Sequence, residues 1–142
     1  MPKTMTCLLG AAALVAAGAA ATASAPATDW SAMRADERVQ RELLGASMAY
    51  IIDEQCPTIR LRRLRMVGYA LSLSRHAKGL GYTSDEIETY VNDKDEQARF
   101  RALATERLLE KGAREGDAQS FCEVGRREME QETYVGSMLK GG

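Results

Sequence analysis

The side chains with the most reactive chemistry in this 142-residue chain are its cysteines and its single histidine. Cys56 and Cys122 lie far apart, and neither belongs to a CxxC pair or another activated-thiol motif. A nucleophilic thiol also needs a base, and only His76 could supply an imidazole. Three interpretations follow: a Cys56 to Cys122 disulfide, two separate buried thiols, or a catalytic cysteine. The compartment of the chain decides among them.

Residues 1–27 have the three-part pattern of an export signal. Lys3 is followed by a short apolar stretch and an alanine-rich exit. The alternative, a membrane anchor, would need about 20 strongly apolar residues, and this stretch is mostly alanine and glycine. Pro26 disfavours cleavage after Ala25, so we expect cleavage after Ala23 or Ala27 and loss of Cys7 with the signal. A periplasmic or secreted location follows.

Export favours the disulfide, because disulfides persist in oxidising compartments. One Cys56 to Cys122 bridge would close a loop of 66 residues. In the chain-entropy model, that closure removes about 4 kcal/mol of unfolded-state entropy. We therefore predict one disulfide in a single domain over residues 28–142.

The other polar groups do not form a recognisable catalytic or metal site. A lone histidine such as His76 is usually structural, and a metal site needs three or four clustered ligands. The acidic residues at 85–88 suit a helix start, and those at 92–96 lack the glycine and terminal glutamate of a calcium loop. No GxSxG or phosphate-binding glycine loop is present. We expect no catalytic residue, no metal, no cofactor and no enzymatic activity.

The best candidate for a binding surface is a basic run. Residues 58–82 carry six positive charges and no acidic residue, whereas the flanking segments are acidic. One interpretation is contact with an anionic surface: phospholipid headgroups, an envelope polymer or an acidic protein. The other is a solvated helix start paired with neighbouring acids, and the overall charge balance favours it. Nucleic acid is not expected, because no aromatic residues interleave with the arginines. The candidate residues are Arg60, Arg62, Arg63 and Arg65.

Apolar periodicity predicts an all-α domain of four main helices and no strand. The helices are expected at residues 35–55, 58–78, 84–111 with a break near 92–93, and 118–133, with a last turn at 134–139. Thr58 and Asp117 are expected caps, and Thr83 with Glu86 predicts a capping box. Residues 66–73 are apolar around the whole helix and are predicted to be buried between other helices.

Glycines occur inside three of the predicted helices, at Gly45, Gly68 and Gly125. A glycine in a helix interior costs about 1 kcal/mol relative to alanine. Close helix crossing near the disulfide is one explanation for them, and simple tolerance is the other.

Several short motifs are spread along the chain: Cys56, Pro57 and Thr58; Leu80, Gly81 and Tyr82; Tyr90 to Lys94; Phe121, Cys122, Gly125 and Glu128; and Gly136 with Leu139. Together these motifs resemble domain-of-unknown-function family 5333, which consists of small exported alphaproteobacterial proteins. The resemblance spans residues 39–139 and implies an export signal, a helical domain and paired cysteines. It carries over no catalytic or binding residue.

The sequence thus predicts a small exported four-helix domain, orthogonal or bundle-like, with one disulfide. We expect a non-enzymatic binding protein of the bacterial periplasm whose partner is another envelope protein. Two alternatives stay open. One is a peripheral binder of anionic lipid or envelope polymer through Arg60 to Arg65, and the other is a holding or acid-stress chaperone, which rests on fold analogy alone.

Overall fold

The computed structural model describes residues 27–142, which form a helical domain with one small sheet. The predicted signal peptide, its cleavage sites and Cys7 lie outside the described residues, apart from Ala27. The elements are α1 (Ser31–Ala35), α2 (Glu37–Gln55), β1 (Ile59–Leu61), α3 (Arg63–Gly79), α4 (Ser84–Asn92), α5 (Lys94–Glu110), α6 (Ala118–Glu130), α7 (Tyr134–Ser137) and β2 (Leu139–Gly141).

Helix α2 is the centre of the fold, because it packs against α5, α6 and α7 as well as β1. Its buried side chains include Met48, Ile51 and Ile52, which join Leu108 of α5 and Val124 of α6 in the main core. A second cluster lies beside it, where Trp30 stacks on Tyr82 and packs against Tyr90. Trp30 therefore packs the segment just before α1 against the domain.

Local sequence signals set most helix ends. Thr83 and Glu86 form the predicted capping box of α4, and the predicted cap Asp117 accepts a hydrogen bond from Ser120 N–H. The predicted break in the third helix is also confirmed, because α4 ends at Asn92 and Asp93 caps α5. These caps depend only on residues within one helical turn, which explains why the sequence predicts them well.

The predicted start of the second helix, at residue 58, is wrong. Thr58 does not cap it, because residues 59–61 form β1, which pairs antiparallel with β2 near the C-terminus. Thr58 Oγ1 instead lies 3.4 Å from Cys56 Sγ and 3.8 Å from Cys122 Sγ. Helix α3 begins at Arg63 with no side-chain cap. The expectation of no strand therefore fails for this short sheet.

The predicted burial of residues 66–73 is also wrong. Within α3 only Ala77 is fully buried, whereas Val67 and Leu71 are exposed. Met66 and Tyr69 pack against the main core, and Leu73 packs against the second cluster. Helix α3 therefore covers the domain with one face and leaves its other apolar face uncovered.

Two of the three helix glycines permit close packing. A Cβ at Gly125 would lie 2.6 Å from Ile59 Cδ1, and one at Gly45 would lie 2.6 Å from the Tyr134 ring. Gly68 differs, since no atom lies within 4 Å of an added Cβ. Close approach thus explains Gly45 and Gly125, and Gly68 lies in open space on α3.

Candidate functional site

Cys56 and Cys122 form the predicted disulfide, which joins the end of α2 to α6. Cys56 Sγ and Cys122 Sγ are bonded at 2.06 Å, and both residues are buried. Cys56 follows the last residue of α2 because Pro57 cannot continue a helix, and Cys122 lies one turn into α6. The bridge therefore connects core elements and leaves neither sulfur as a free thiol.

His76 has a structural partner. Its Nε2 lies 3.0 Å from both carboxylate oxygens of Asp36, and Asp36 caps α2 by accepting a hydrogen bond from Val39 N–H. That backbone hydrogen bond lowers the pKa of Asp36, burial opposes it, and His76 lowers it further. The contact joins the end of α3 to the start of α2.

The acidic residues at 92–96 also act in the fold. Glu96 is buried, and its carboxylate receives hydrogen bonds from Arg34, Arg99 and the Tyr90 hydroxyl. Burial alone would raise its pKa, but the bonds from Arg99 and Arg34 outweigh burial and lower the pKa. Among the described residues, no cluster of histidine, cysteine and carboxylate side chains has the arrangement of a metal site.

Glu128 is a second buried carboxylate, and the charge pattern of the sequence did not point to it. It pairs with Lys111 Nζ at 2.7 Å and accepts a hydrogen bond from the Thr133 hydroxyl at 2.5 Å. Thr133 also caps α7. The cluster ties α7 to α6 and α5, and only the three-dimensional fold brings its members together.

The four candidate arginines do not lie on one helical stretch, which corrects the sequence interpretation. Arg60 is on β1 and Arg62 precedes α3, while Arg63 and Arg65 lie in the first turn of α3. Arg60 donates to the carbonyl oxygens of Cys56 and Ile59, and Arg62 Nε donates to Leu139 O at 2.8 Å. These two arginines thus support the sheet as well as carrying charge.

Pairing of the basic run with neighbouring acids, the interpretation favoured by the charge balance, is not found. Eight ion pairs join side chains in the described part of the chain. His76 is the sole member of the 58–82 segment in any of these pairs. Four basic side chains of α3 make neither an ion pair nor a hydrogen bond within residues 27–142: Arg63, Arg65, Arg75 and Lys78.

An apolar row lies beside these unpaired charges. Leu64, Val67 and Leu71 project from one side of α3, because residues three, four and seven apart share a helix face. Their exposed fractions are 91%, 56% and 58%. We call this row, with Arg63, Arg65, Arg75 and Lys78, the outer face of α3. It combines apolar groups with positive charge and contains no acidic residue.

An open groove of about 1070 Å³ adjoins the first turns of this face. Its wall combines Leu61 and Tyr69 with Arg62 and Lys140, the latter from β2. The groove therefore extends the same chemistry from the helix to the sheet. Among the described residues, the outer face of α3 is the surface best suited to hold an anionic, partly apolar partner.

Within residues 27–142, no helix is both long enough and apolar enough to cross a bilayer. Comparison with curated proteins and with solved structures gives no match. A family model described as "Family of unknown function (DUF5333)" matches residues 31–140, a span that includes Cys56, Cys122 and the whole of α3. The chain therefore belongs to the DUF5333 family.

Proposed function

We propose that this protein is an exported, non-enzymatic binding protein that contacts its partner through the outer face of α3. The observation that carries the proposal is the coincidence of an uncovered apolar row with four unpaired cations on one helix. The apolar side chains of this face, Leu64, Val67 and Leu71, belong to neither of the two buried clusters of the domain. Its chemistry suits a partner with acidic groups around an apolar surface.

Export is supported by two independent features. Residues 1–27 have the composition of a secretory signal, and the Cys56 to Cys122 disulfide is the kind of bond that persists in oxidising compartments. We therefore place the protein in the periplasm or outside the cell. The mature chain would begin near residue 24 or 28.

A binding role fits the reactive groups better than catalysis does. Cys56 and Cys122 are bonded to each other, and His76 contacts Asp36 at the junction of α2 and α3. Each of these groups already stabilises the fold, so using it as a nucleophile or base would conflict with that role. The outer face of α3 is free of such a conflict.

The apolar row can supply useful binding free energy. Complete burial of an exposed leucine or valine side chain is worth about 1.5–3 kcal/mol. Leu64 is almost fully exposed, and Val67 and Leu71 are more than half exposed, so covering all three would contribute roughly 4 kcal/mol. That gain corresponds to about a thousandfold in affinity, before any contribution from charge.

Site-specific photo-crosslinking in the native host tests this proposal. A photoreactive phenylalanine analogue replaces Val67 on the outer face or, as a control, the exposed Ala102 on α5. We expect adducts from position 67 and few from position 102. The adducts should disappear when Arg63, Arg65, Arg75 and Lys78 are all changed to Gln. Equal yields from the two positions, or no adduct from position 67, would contradict the proposal.

A further inference from the structure

We infer that the partner of the outer face is the surface of a membrane containing anionic phospholipid, with α3 lying parallel to the bilayer plane. This inference rests on the proposed function, because it names the partner of the same face. The placement of side chains on α3 leads us to propose a membrane surface as the partner, in place of the envelope protein predicted from the sequence.

The apolar row has the shape needed to enter a bilayer surface. Leu64 projects from the first turn with 91% of its surface exposed, so it stands out from the domain at the edge of the open groove. Leu71 lies two turns further along, about 10 Å away, on the same side of the helix. Interfacial helices insert a row of this kind between headgroups while their axis stays in the plane.

The cations surround the apolar row on both sides. Successive residues are rotated by about 100°, so Arg63 and Arg65 flank Leu64 from opposite sides. Arg75 and Lys78 continue the positive charge at the other end of the helix. A layer of lipid phosphates would meet all of these groups at once, whereas a single acidic helix would lie along one side only.

The length of these side chains suits the same geometry. Arginine and lysine can lay their methylene groups against apolar surface while their charges reach outwards to phosphates. None of the four makes a hydrogen bond or ion pair within the described residues, so no internal contact must break on docking. No acidic side chain lies in residues 58–82 to repel an anionic surface.

Vesicle co-sedimentation at low salt tests the inference. The probes are vesicles of phosphatidylglycerol and phosphatidylcholine in equal amounts, and vesicles of phosphatidylcholine alone. We expect the protein to bind the anionic vesicles, to bind the neutral ones far less, and to lose affinity as salt rises, since salt screens exposed charges. Equal binding to both kinds of vesicle would overturn the electrostatic part of the inference.

A charge variant and a charge-matched control distinguish the effect of the cations on the outer face from the effect of net charge. The charge variant carries Arg63→Gln, Arg65→Gln, Arg75→Gln and Lys78→Gln. The control carries the same change in net charge elsewhere, with Arg101→Gln, Arg107→Gln, Arg114→Gln and Arg126→Gln. We expect the charge variant to lose at least about a hundredfold in partitioning, because each cation near an anionic surface contributes several-fold. The control should stay within about threefold of the wild type, and equal losses in both would refute the assignment.

An apolar pair of variants tests insertion. Leu64→Ser together with Leu71→Ser should reduce partitioning by roughly a hundredfold, whereas Leu103→Ser with Leu109→Ser on α5 should not change it. All four leucines are exposed, so each variant should keep the native circular dichroism spectrum. Unchanged partitioning of the first variant would exclude apolar insertion.

Vesicle binding and crosslinking together distinguish a failure of the membrane inference from a failure of the proposed function. If anionic vesicles are not bound but crosslinking from position 67 captures a protein, the membrane inference is wrong and the binding face stands. If neither vesicles nor a crosslinked partner are found, both proposals fail. If the crosslinked product is a lipid and vesicles are bound, both hold.

Discussion

The contrast between Gly136 and Gly68 gives a stability prediction in which the same substitution has opposite effects. A Cβ at Gly136 would lie 1.9 Å from Glu128 O and 2.6 Å from Met129 N, so it would collide with the backbone of α6. At Gly68 an added Cβ meets no atom within 4 Å. Neither glycine has a positive φ, so backbone strain does not complicate the comparison.

The magnitudes follow from these contacts. Gly136→Ala should force α7 away from α6, and overpacking against a backbone that cannot rotate aside should cost about 3 kcal/mol or more. Part of the loss would come from Met138 and Leu139, which follow α7 and are fully buried. Gly68→Ala removes the flexibility of an exposed helix glycine and should stabilise the protein by about 0.5–1 kcal/mol.

Thermal unfolding followed by circular dichroism measures both effects. At roughly 4 °C per kcal/mol for a domain of this size, Gly136→Ala should lower Tm by about 12 °C and Gly68→Ala should raise it by about 3 °C. Urea unfolding of the same variants provides an independent free energy. A Gly136→Ala variant as stable as the wild type would refute the account of α7 packing, and a destabilised Gly68→Ala would show that α3 has an unrecognised neighbour.

Three further predictions concern the Cys56 to Cys122 disulfide, the response of stability to acid and the outer face of α3. Cys56→Ser and Cys122→Ser should each cost about 4 kcal/mol and the double variant no more, since all three lose one bond; clearly unequal single effects in urea unfolding would contradict this. The pKa of Asp36 is lower in the folded protein than in the unfolded chain, so the unfolded chain takes up a proton at Asp36 first on acidification. The contribution of Asp36 to stability is therefore full above about pH 4, near the ordinary pKa of 3.8, and falls below that pH. Asp36→Asn keeps the cap and should reduce the loss of stability between pH 6 and pH 3, and an unchanged loss would exclude this group as a contributor. Leu64→Ser should change stability by less than about 0.5 kcal/mol, because the side chain is 91% exposed; a larger loss in urea would place Leu64 in the packing of the domain.

Much of the fold could be predicted because its signals are local. The capping box of Thr83 and Glu86 and the cap at Asp117 each lie within one turn of the helix they start. The disulfide followed from the predicted compartment and from the number of cysteines that remain once the predicted export signal is removed. The mainly helical character followed from apolar periodicity over long segments.

The short sheet could not be predicted in this way. Strand β1 has only three residues, and its partner β2 lies about 80 residues later in the chain. Thr58 is a good cap by type, so the local signal pointed to a helix start. The pairing of Leu61 with Leu139 overrides that signal, and no local pattern reveals it.

The outer face of α3 was missed for a related reason. Apolar residues around a whole helix predict burial, but the sequence does not say how many neighbours are available to cover it. Here α2 and α4 cover one side, and the main core forms from α2, α5, α6 and α7 without the outer side of α3. Of the candidate arginines, Arg63 and Arg65 lie on α3 and Arg60 and Arg62 do not, and their role in binding stays a prediction. The sequence could not show that the neighbours of Arg63 and Arg65 on α3 would be exposed leucines and valine.

Hydrogen exchange of the purified protein, alone and mixed with the envelope fraction of its native host, tests most directly whether the outer face of α3 is the binding surface. We expect slower exchange in α3, around Val67 to Leu71, with α5 unchanged around Ala102 and Leu103. Wild-type protection should disappear in the variant with all four unpaired cations of α3 changed to Gln. Protection confined to α5 or α6, or no change in α3, would contradict the central claim.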